Sequence, residues 1–219
     1  ICNVSTSSMV RESDLSLLLQ IGSEIGVAST KAFSAQLVNL LLLTILLGRR
    51  KDLTQEREKE LVEALHSLPS LLTEVLELNE EIAGVARRFV EKTNALFLGR
   101  GVMYPVALEG ALKLKEISYV HAEGYAAGEL KHGPLALVDK NMPIVAIAPR
   151  DELIEKLKSN LKEVEARGGE LIVFAEDEES FTDQPSTTII KMPEAHHILS
   201  PVVYVLPLQL LSYYVAVYK

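Results

Sequence analysis

A short segment of the chain, residues 104–139, holds most of the side chains that could carry out acid–base chemistry. Glu109, Lys113 and Glu116 follow one another at intervals of four and three residues, so a helix would place them along one edge. His132 comes soon afterwards, among small and apolar residues. Carboxylate, amine and imidazole groups gathered in this way are suited to moving protons on a small polar substrate.

The helix that would carry these groups has a second, very different face. Ala107, Gly110 and Ala111 line that face, and their small size suits close packing against a sheet. An isolated glutamate–lysine pair on a helix is most often an exposed ion pair of little energetic value. For Glu109 and Lys113 this structural interpretation stands beside the catalytic one, and the residues that follow favour catalysis.

The polar stretch after the helix, residues 121–133, combines histidine, glutamate and lysine with alanine and glycine. This composition is typical of an ordered loop held near a ligand. His132 is followed by Gly133 and Pro134, so we expect a restrained backbone and a displayed ring. Histidine can both accept and donate a proton near neutral pH. The sequence therefore predicts a loop that presents an acid–base histidine.

The bulk composition excludes several classes of function. A net charge of −8 argues against a general nucleic-acid surface, which needs basic patches to neutralise phosphates. The one cysteine, Cys2, cannot form an intrachain disulfide, and no two histidines have the spacing of a helical zinc site. We therefore predict neither a metal site nor a cofactor. A single cysteine fits a reducing compartment, and we expect a cytoplasmic protein.

Two apolar runs bear on membrane insertion. Residues 37–47 are too few to span a bilayer. They belong to a helix that is apolar on most faces and is predicted to be buried. Residues 199–218 are long enough to span, but they include Pro201, Pro207 and Gln209, which favours a helix buried in a protein core. No membrane association is predicted.

In the second half of the chain, apolar strands alternate with helices. The predicted strands are residues 95–98, 143–148, 171–175 and 187–191, and the predicted helices include 104–119 and 151–166. This alternation predicts an α/β fold with a parallel sheet and helices on both faces. Gly99 and Gly101 mark a tight turn between a strand and its helix. A dinucleotide-binding turn is disfavoured because Tyr104 stands where the third glycine would be.

The first half of the chain resembles the back end of a similar unit with connecting helices. The predicted elements are strands at residues 1–4 and 15–19, a helix that ends near residue 48, and helices at 54–77 and 79–92. The hydroxyl of Ser29 or Thr30 is expected to cap the first of these helices. Pro69 is expected to bend or split the second.

A family resemblance becomes specific in the segment ALKLKEISYVHAEGYAAGELKHGPLALVD. It resembles the isomerase domain of the glutamine–fructose-6-phosphate aminotransferase family. ICNVSTSSMVRESD, GSEIGVASTKAFSAQ, LFLGRG and VLPLQLLSYYVA resemble the same family in the same order, so the resemblance covers essentially the whole chain. It implies two flavodoxin-like sugar isomerase (SIS) subdomains with parallel sheets flanked by helices. Residues 1–93 would be the remainder of the first subdomain, and residues 94–219 would form the second.

The resemblance also implies an activity and a role for each candidate residue. The family converts fructose 6-phosphate and ammonia to glucosamine 6-phosphate. Glu116 would be the base that moves a proton between C1 and C2 of the sugar, and Lys113 would orient or tune it. We add a support role for Glu109 from its place on the same helix face.

Other family residues would contact the substrate. His132 would help to open the sugar ring in the site of the neighbouring subunit, while Val27 and Ser29 would contact the sugar. The loop that binds the sugar phosphate is expected upstream of Ile1, and the lysine that forms a Schiff base is expected beyond Lys219. The chain alone is therefore expected to be an inactive part of a longer enzyme.

The implied partners are a sugar phosphate, a second copy of the chain with a shared active site, and a glutaminase domain that supplies ammonia. Two alternatives stay open. One is a different enzyme on the same fold, such as a fructosamine-phosphate deglycase or a ketose–aldose isomerase. The other is a non-catalytic sugar-phosphate-binding domain, which would have no need of a base at Glu116.

Overall fold

The computed structural model describes residues 1–181 and 187–219, which form two compact units, Ile1–Ser67 and Leu68–Lys219. The helices are α1 (Ser8–Arg11), α2 (Lys31–Gly48), α3 (Gln55–Glu77), α4 (Asn79–Ala86), α5 (Met103–Ser118), α6 (Ile154–Ala166) and α7 (Ser200–Tyr218). The strands are β1 (Asn94–Gly99), β2 (His121–Ala126), β3 (Pro143–Ala148), β4 (Glu170–Ala175) and β5 (Thr188–Lys191). The strands form one parallel sheet in the order β2-β1-β3-β4-β5, which confirms the α/β class.

The central strands of this sheet are apolar because both of their faces are covered. Every residue of β3 is buried, and in β1 only the first residue is exposed. Successive side chains of a strand point to opposite faces. Accordingly Leu96 and Leu98 belong to a core cluster with Leu157 and Leu161 of α6, whereas Phe97 faces α5 and α7. The sheet is therefore the middle of three layers.

Helix α5 packs directly against β1 and α7 at Gly110, which has no side chain. A Cβ atom at Gly110 would lie 2.7 Å from Leu208 Cδ1 of α7 and 2.9 Å from Phe97 Cδ1 of β1. At the start of the helix, a Cβ atom at Gly99 would lie 2.1 Å from the carbonyl oxygen of Met103. The predicted strand-to-helix turn is confirmed, and these two glycines determine where α5 sits on the sheet.

Strand β2 corrects the sequence-based prediction of a loop after α5. Residues 121–126 pair in parallel with β1, from His121 opposite Asn94 to Ala126 opposite Gly99. The strand lies at the edge of the sheet and only Ala122 is buried in it. An edge strand needs few apolar residues, so it carries no hydrophobic run that a sequence pattern could reveal.

The smaller unit departs from two predictions. The strands predicted at residues 1–4 and 15–19 are reduced to a single parallel bridge between Cys2 and Leu18. Helix α2 was predicted to be buried, but Ile45 is the one buried residue along its length. The prediction was wrong because an apolar helix becomes buried only against a second apolar surface, and within residues 1–67 there is no sheet to provide one.

Helices α2 and α7 are both long and apolar enough to cross a membrane when judged by length and composition alone. In α7, 61% of the most apolar window is buried inside the protein, which confirms the predicted core helix; in α2 the corresponding share is 6%. Helix α3 runs through Pro69 without a break, so the predicted split at this residue does not occur.

Candidate functional site

Lys113 lies between two carboxylates on one face of α5. Its Nζ atom donates a hydrogen bond of 3.0 Å to Glu116 Oε2 and lies 3.4 Å from Glu109 Oε1. The lysine side chain is only 4% exposed, whereas that of Glu116 is 33% exposed. The predicted grouping is confirmed, and the alternative of an exposed surface ion pair is wrong. Glu109, Lys113 and Glu116 are called the α5 cluster below.

The buried carboxylate of the α5 cluster has a perturbed acidity. Burial raises the pKa of Glu109, the positive charge of Lys113 opposes this shift, and the negative charge of Glu116 adds to it. Glu109 Oε1 is buried and forms no hydrogen bond with the described residues, although Lys113 is within ion-pair distance. Lys113 therefore gives its shortest contact to Glu116, and Glu109 lies within ion-pair distance on its other side.

This arrangement holds the Glu116 carboxylate in place and leaves part of it accessible to a ligand. Lys113 fixes one carboxylate oxygen, Oε2, while the exposed third of the side chain remains accessible. The glycine contacts of α5 hold the helix against β1 and α7, so the carboxylate is carried by a rigid element. A positioned carboxylate of this kind can take a proton from one atom of a substrate and return it to a neighbouring atom.

His132 ends the short 3-10 helix Ala127–His132 and is displayed to solvent. Its side chain is 75% exposed, and Nε2 lies 3.9 Å from Glu129 Oε2. Gly133 follows with a φ angle of +144°, a backbone conformation that only glycine adopts readily, as expected for a restrained display of the ring. Within the described residues, no hydrogen bond or ion pair joins His132 to the α5 cluster.

The segment that carries His132 is fastened to α6. Lys131 Nζ lies 2.8 Å from Glu163 Oε1 of α6. Arg100 lies between this segment and the same helix. It donates a hydrogen bond of 3.0 Å to Asn160 Oδ1 of α6, and a Cβ atom at Gly128 would lie 2.8 Å from the Nη1 atom of Arg100. The histidine is therefore presented outward from a well-anchored turn.

Val27 and Ser29 lie in a loop of the smaller unit. Val27 is almost fully exposed, and Ser29 Oγ donates to Glu24 Oε2 at 3.5 Å. Glu24 Oε1 also accepts hydrogen bonds from the backbone N–H groups of Thr30, at 2.6 Å, and Ala32, at 3.4 Å. The predicted hydroxyl cap at the start of α2 is wrong, because this carboxylate takes its place. Burial favours a raised pKa for Glu24, but the backbone N–H groups at Thr30 and Ala32 lower it overall.

Two further observations concern the amine of Lys219 and the side chains that could bind a metal ion. Lys219 Nζ donates to the carbonyl oxygens of Val90 and Lys92, at 3.0 and 3.1 Å, so its amine is engaged by the backbone. Among the described residues, no group of three or more histidine, cysteine, aspartate or glutamate side chains could hold a metal ion.

A cleft that the sequence analysis missed opens at the carboxyl ends of β1, β3 and β4. Its volume is about 490 Å³, and it is lined by residues from four separate segments, including Arg150, Glu176 and Ser200. Arg150 and Glu176 follow β3 and β4 closely, so their position beyond a predicted strand was a usable signal. None of the residues proposed for acid–base chemistry lines this cleft.

The sequence model of the SIS domain matches residues 88–219. The glutamine–fructose-6-phosphate aminotransferase [isomerizing] of Pseudomonas aeruginosa is 61% identical over 220 residues, which cover all of this chain and 36% of that protein. The corresponding protein of Haemophilus influenzae is 55% identical with the same coverage. The chain thus spans about a third of the length of these curated relatives.

The fold is similar to that of solved structures. The C-terminal domain of glucosamine-fructose-6-phosphate aminotransferase from Francisella tularensis superposes with a TM-score of 0.97 at 50% identity, covering all of this chain and 62% of that one. A glucosamine-6-phosphate deaminase from Thermotoga maritima superposes with a TM-score of 0.62 at 26% identity, covering 97% of this chain and 59% of that one.

Proposed function

This chain belongs to the SIS domain family, and we propose that it is part of the isomerase domain of a glutamine–fructose-6-phosphate aminotransferase. In this proposal it helps to convert fructose 6-phosphate and ammonia to glucosamine 6-phosphate and water. The observation that carries the proposal is the buried Lys113, which holds the partly exposed carboxylate of Glu116 at 3.0 Å. The high identity to the Pseudomonas aeruginosa relative supports the choice of substrate.

The α5 cluster would perform the proton transfer of this reaction. After ammonia has replaced the carbonyl oxygen at C2 of the open-chain sugar, Glu116 would remove a proton from C1 and return it to C2. The product is an aldose with an amino group at C2. Lys113 would align the Glu116 carboxylate through its hydrogen bond, and Glu109 would hold Lys113 from the other side. No metal or redox step is needed, because the transfer changes only the position of protons and double bonds.

The other site residues would act from outside the α5 cluster. We propose that His132 assists ring opening in the active site of a second copy of the chain, which fits its outward display. Val27 and Ser29 would contact the sugar, with Glu24 holding their loop at the start of α2. A homodimer with shared sites, located in the cytoplasm and fed with ammonia by a glutaminase domain, completes this proposal.

The finer architecture belongs to the same proposal. The sheet of β1 to β5 would be the second of two flavodoxin-like SIS subdomains, formed by residues 94–219. Residues 1–93 would be the remainder of the first subdomain together with connecting helices. The single bridge between Cys2 and Leu18 and the exposed apolar surface of α2 are what a partly present subdomain would leave.

Replacing Glu116 with glutamine tests the proposed base. The substitution is assayed in a chimera in which this chain replaces the matching segment of the Pseudomonas aeruginosa aminotransferase. We expect formation of glucosamine 6-phosphate to fall by at least about 100-fold, the usual contribution of a general base. Binding of fructose 6-phosphate, measured by calorimetry, should be retained. The matched control is Glu155→Gln, because that carboxylate lies exposed on α6 and, among the described residues, forms an ion pair with Lys158 alone.

The same measurement separates the alternatives. Unchanged turnover in the Glu116→Gln chimera would contradict catalysis by the α5 cluster. An unsubstituted chimera that binds fructose 6-phosphate but has no turnover would favour a non-catalytic sugar-phosphate-binding domain. A chimera that interconverts ketose and aldose phosphates without incorporating ammonia would favour a simple isomerase.

A further inference from the structure

The 3-10 turn Ala127–His132 has three faces, because residues three positions apart eclipse one another in a 3-10 helix. The first face is buried, the second is exposed to solvent, and the third lies beside Arg100 and α6. In that order, the faces are formed by Ala127 and Leu130, by Glu129 and His132, and by Gly128 and Lys131. A rotation of the turn about its own axis would therefore redirect the ring of His132.

The buried face holds the turn against α6 but does not set its rotation. Ala127 and Leu130 are fully buried in one cluster with Leu157 and Leu161 of α6. Attraction between apolar surfaces is not directional, whereas a hydrogen bond weakens steeply when its angle departs from linearity. The polar contacts of the third face are therefore the ones that can fix the rotation of the turn.

Arg100 is at the centre of these polar contacts. It directly follows β1, and its Nη1 atom donates a hydrogen bond of 3.0 Å to Asn160 Oδ1 of α6. The same nitrogen lies against the turn at Gly128, where a Cβ atom would come within 2.8 Å of it. The guanidinium group therefore fills the space that a side chain at position 128 would need, and it links the turn to α6.

Asn160 holds this guanidinium group in place. The residue is only 8% exposed, and its neighbours Leu157 and Leu161 on α6 are buried and apolar. Burial of an amide is costly unless it is hydrogen-bonded, and a hydrogen bond from a charged donor is stronger than a neutral one. The other polar contact of the third face involves Lys131, whose side chain is 61% exposed, so water competes for it. The bond between Arg100 and Asn160 is therefore the stronger constraint on the turn.

We propose that Arg100 and Asn160 are positioning residues for His132. Asn160 fixes the guanidinium group of Arg100, and this group fixes the turn at Gly128. The rotation of the turn then directs the imidazole toward the sugar. This inference rests on the proposed role of His132 in ring opening, and it adds two residues that act through the histidine rather than on the substrate.

A double-mutant cycle in the chimera tests this proposal. Asn160→Leu removes the acceptor, and we expect turnover of fructose 6-phosphate to fall by about tenfold with the KM unchanged, because a misplaced group loses part of its effect. In the His132→Asn chimera the same substitution should have no further effect, because no imidazole is left to misplace. Asn160→Asp keeps an oxygen for the guanidinium group and should retain turnover. Ser159→Leu is the matched control, since Ser159 is an exposed neighbour on α6.

Gly128→Ala tests the same link from the side of the turn. The added Cβ atom would displace the guanidinium group and leave the side chains of Arg100 and Asn160 chemically unchanged. Turnover should again fall, and again only while His132 is present. This variant carries the test if Asn160→Leu does not fold.

Two results would overturn the proposal. One is an equal loss of turnover from Asn160→Leu with and without His132, since Asn160 would then have a purely structural role. The other is full turnover in both Asn160→Leu and Gly128→Ala. The proposed function fails by a different result, which is unchanged turnover in the His132→Asn chimera. That result would remove the role of the histidine itself, whereas the first two leave it intact.

Discussion

The α5 cluster and the segment that ends at His132 supply different parts of the proposed chemistry, and they are built in opposite ways. In the cluster, Lys113 and Glu109 are buried on a long helix, and the lysine contacts two carboxylates of the same chain. His132 stands on a short 3-10 turn, three quarters exposed, with Glu129 as its charged neighbour. One region is organised within the chain, whereas the other is shaped to be presented to something outside it.

Among the substitutions that test this comparison, Lys113→Met should have the largest effect, a loss of stability. It leaves the buried Glu109 without its counter-charge, so we expect the free energy of unfolding to fall by roughly 3 kcal/mol. Urea denaturation of the chain measures this loss, with Lys131→Met as the control. Lys131 forms a more exposed pair with Glu163, so its loss should cost at most about 1 kcal/mol. Equal losses in the two variants would contradict the distinction between a buried and a displayed region.

Replacing His132 with asparagine should affect activity and spare stability. In the chimera we expect turnover to fall by about 100-fold, because ring opening loses its acid–base group, while the urea midpoint stays unchanged. Mixing inactive Glu116→Gln subunits with inactive His132→Asn subunits then tests the shared site. If half of the dimers are mixed and each has one complete site, about a quarter of the activity returns. No recovery after mixing would place both residues in the site of one chain.

Replacing Glu109 with glutamine gives the smallest expected effect, seen in the pH dependence of stability. Burial raises the pKa of Glu109 in the folded chain, so the folded state binds a proton more tightly than the unfolded state. Its contribution is therefore fully present below the ordinary pKa of 4.5 and is lost as the pH rises through the folded pKa. The Glu109→Gln variant should lose less stability than the parent over this range. Parallel curves from urea denaturation at a series of pH values would contradict this role.

The part of the site that could be predicted is the part carried by local periodicity. The spacing of Glu109, Lys113 and Glu116 places them on one helix face whatever surrounds the helix, and the apolar runs of β3 and β4 are visible in the sequence. The burial of Lys113 could not be deduced in the same way, because it depends on the sheet and on α7.

Other features escaped prediction because they depend on contacts between distant residues. Strand β2 is held by pairing to β1, so its polar sequence resembled a loop. Glu24 caps α2 through a loop whose path no short pattern encodes. The cleft combines Arg150, Glu176 and Ser200, which come together only when the strand order is known. Helix α2 shows the opposite kind of error. Its apolar composition predicted that it would be buried, but residues 1–67 contain no surface that covers it.

The close approach of α5 to the sheet has a consequence for how variation in this chain would be interpreted. The surroundings of Gly99 and Gly110 leave no room for a side chain. These glycines therefore determine where α5 starts and how close it lies to the sheet, and α5 carries Glu116. Substitutions that relocate the proposed base would therefore be found at residues with no functional group at all. A survey that ranked positions by their chemical reactivity would overlook both glycines. Each of them nevertheless helps to determine the position of the Glu116 carboxylate, as Lys113 does.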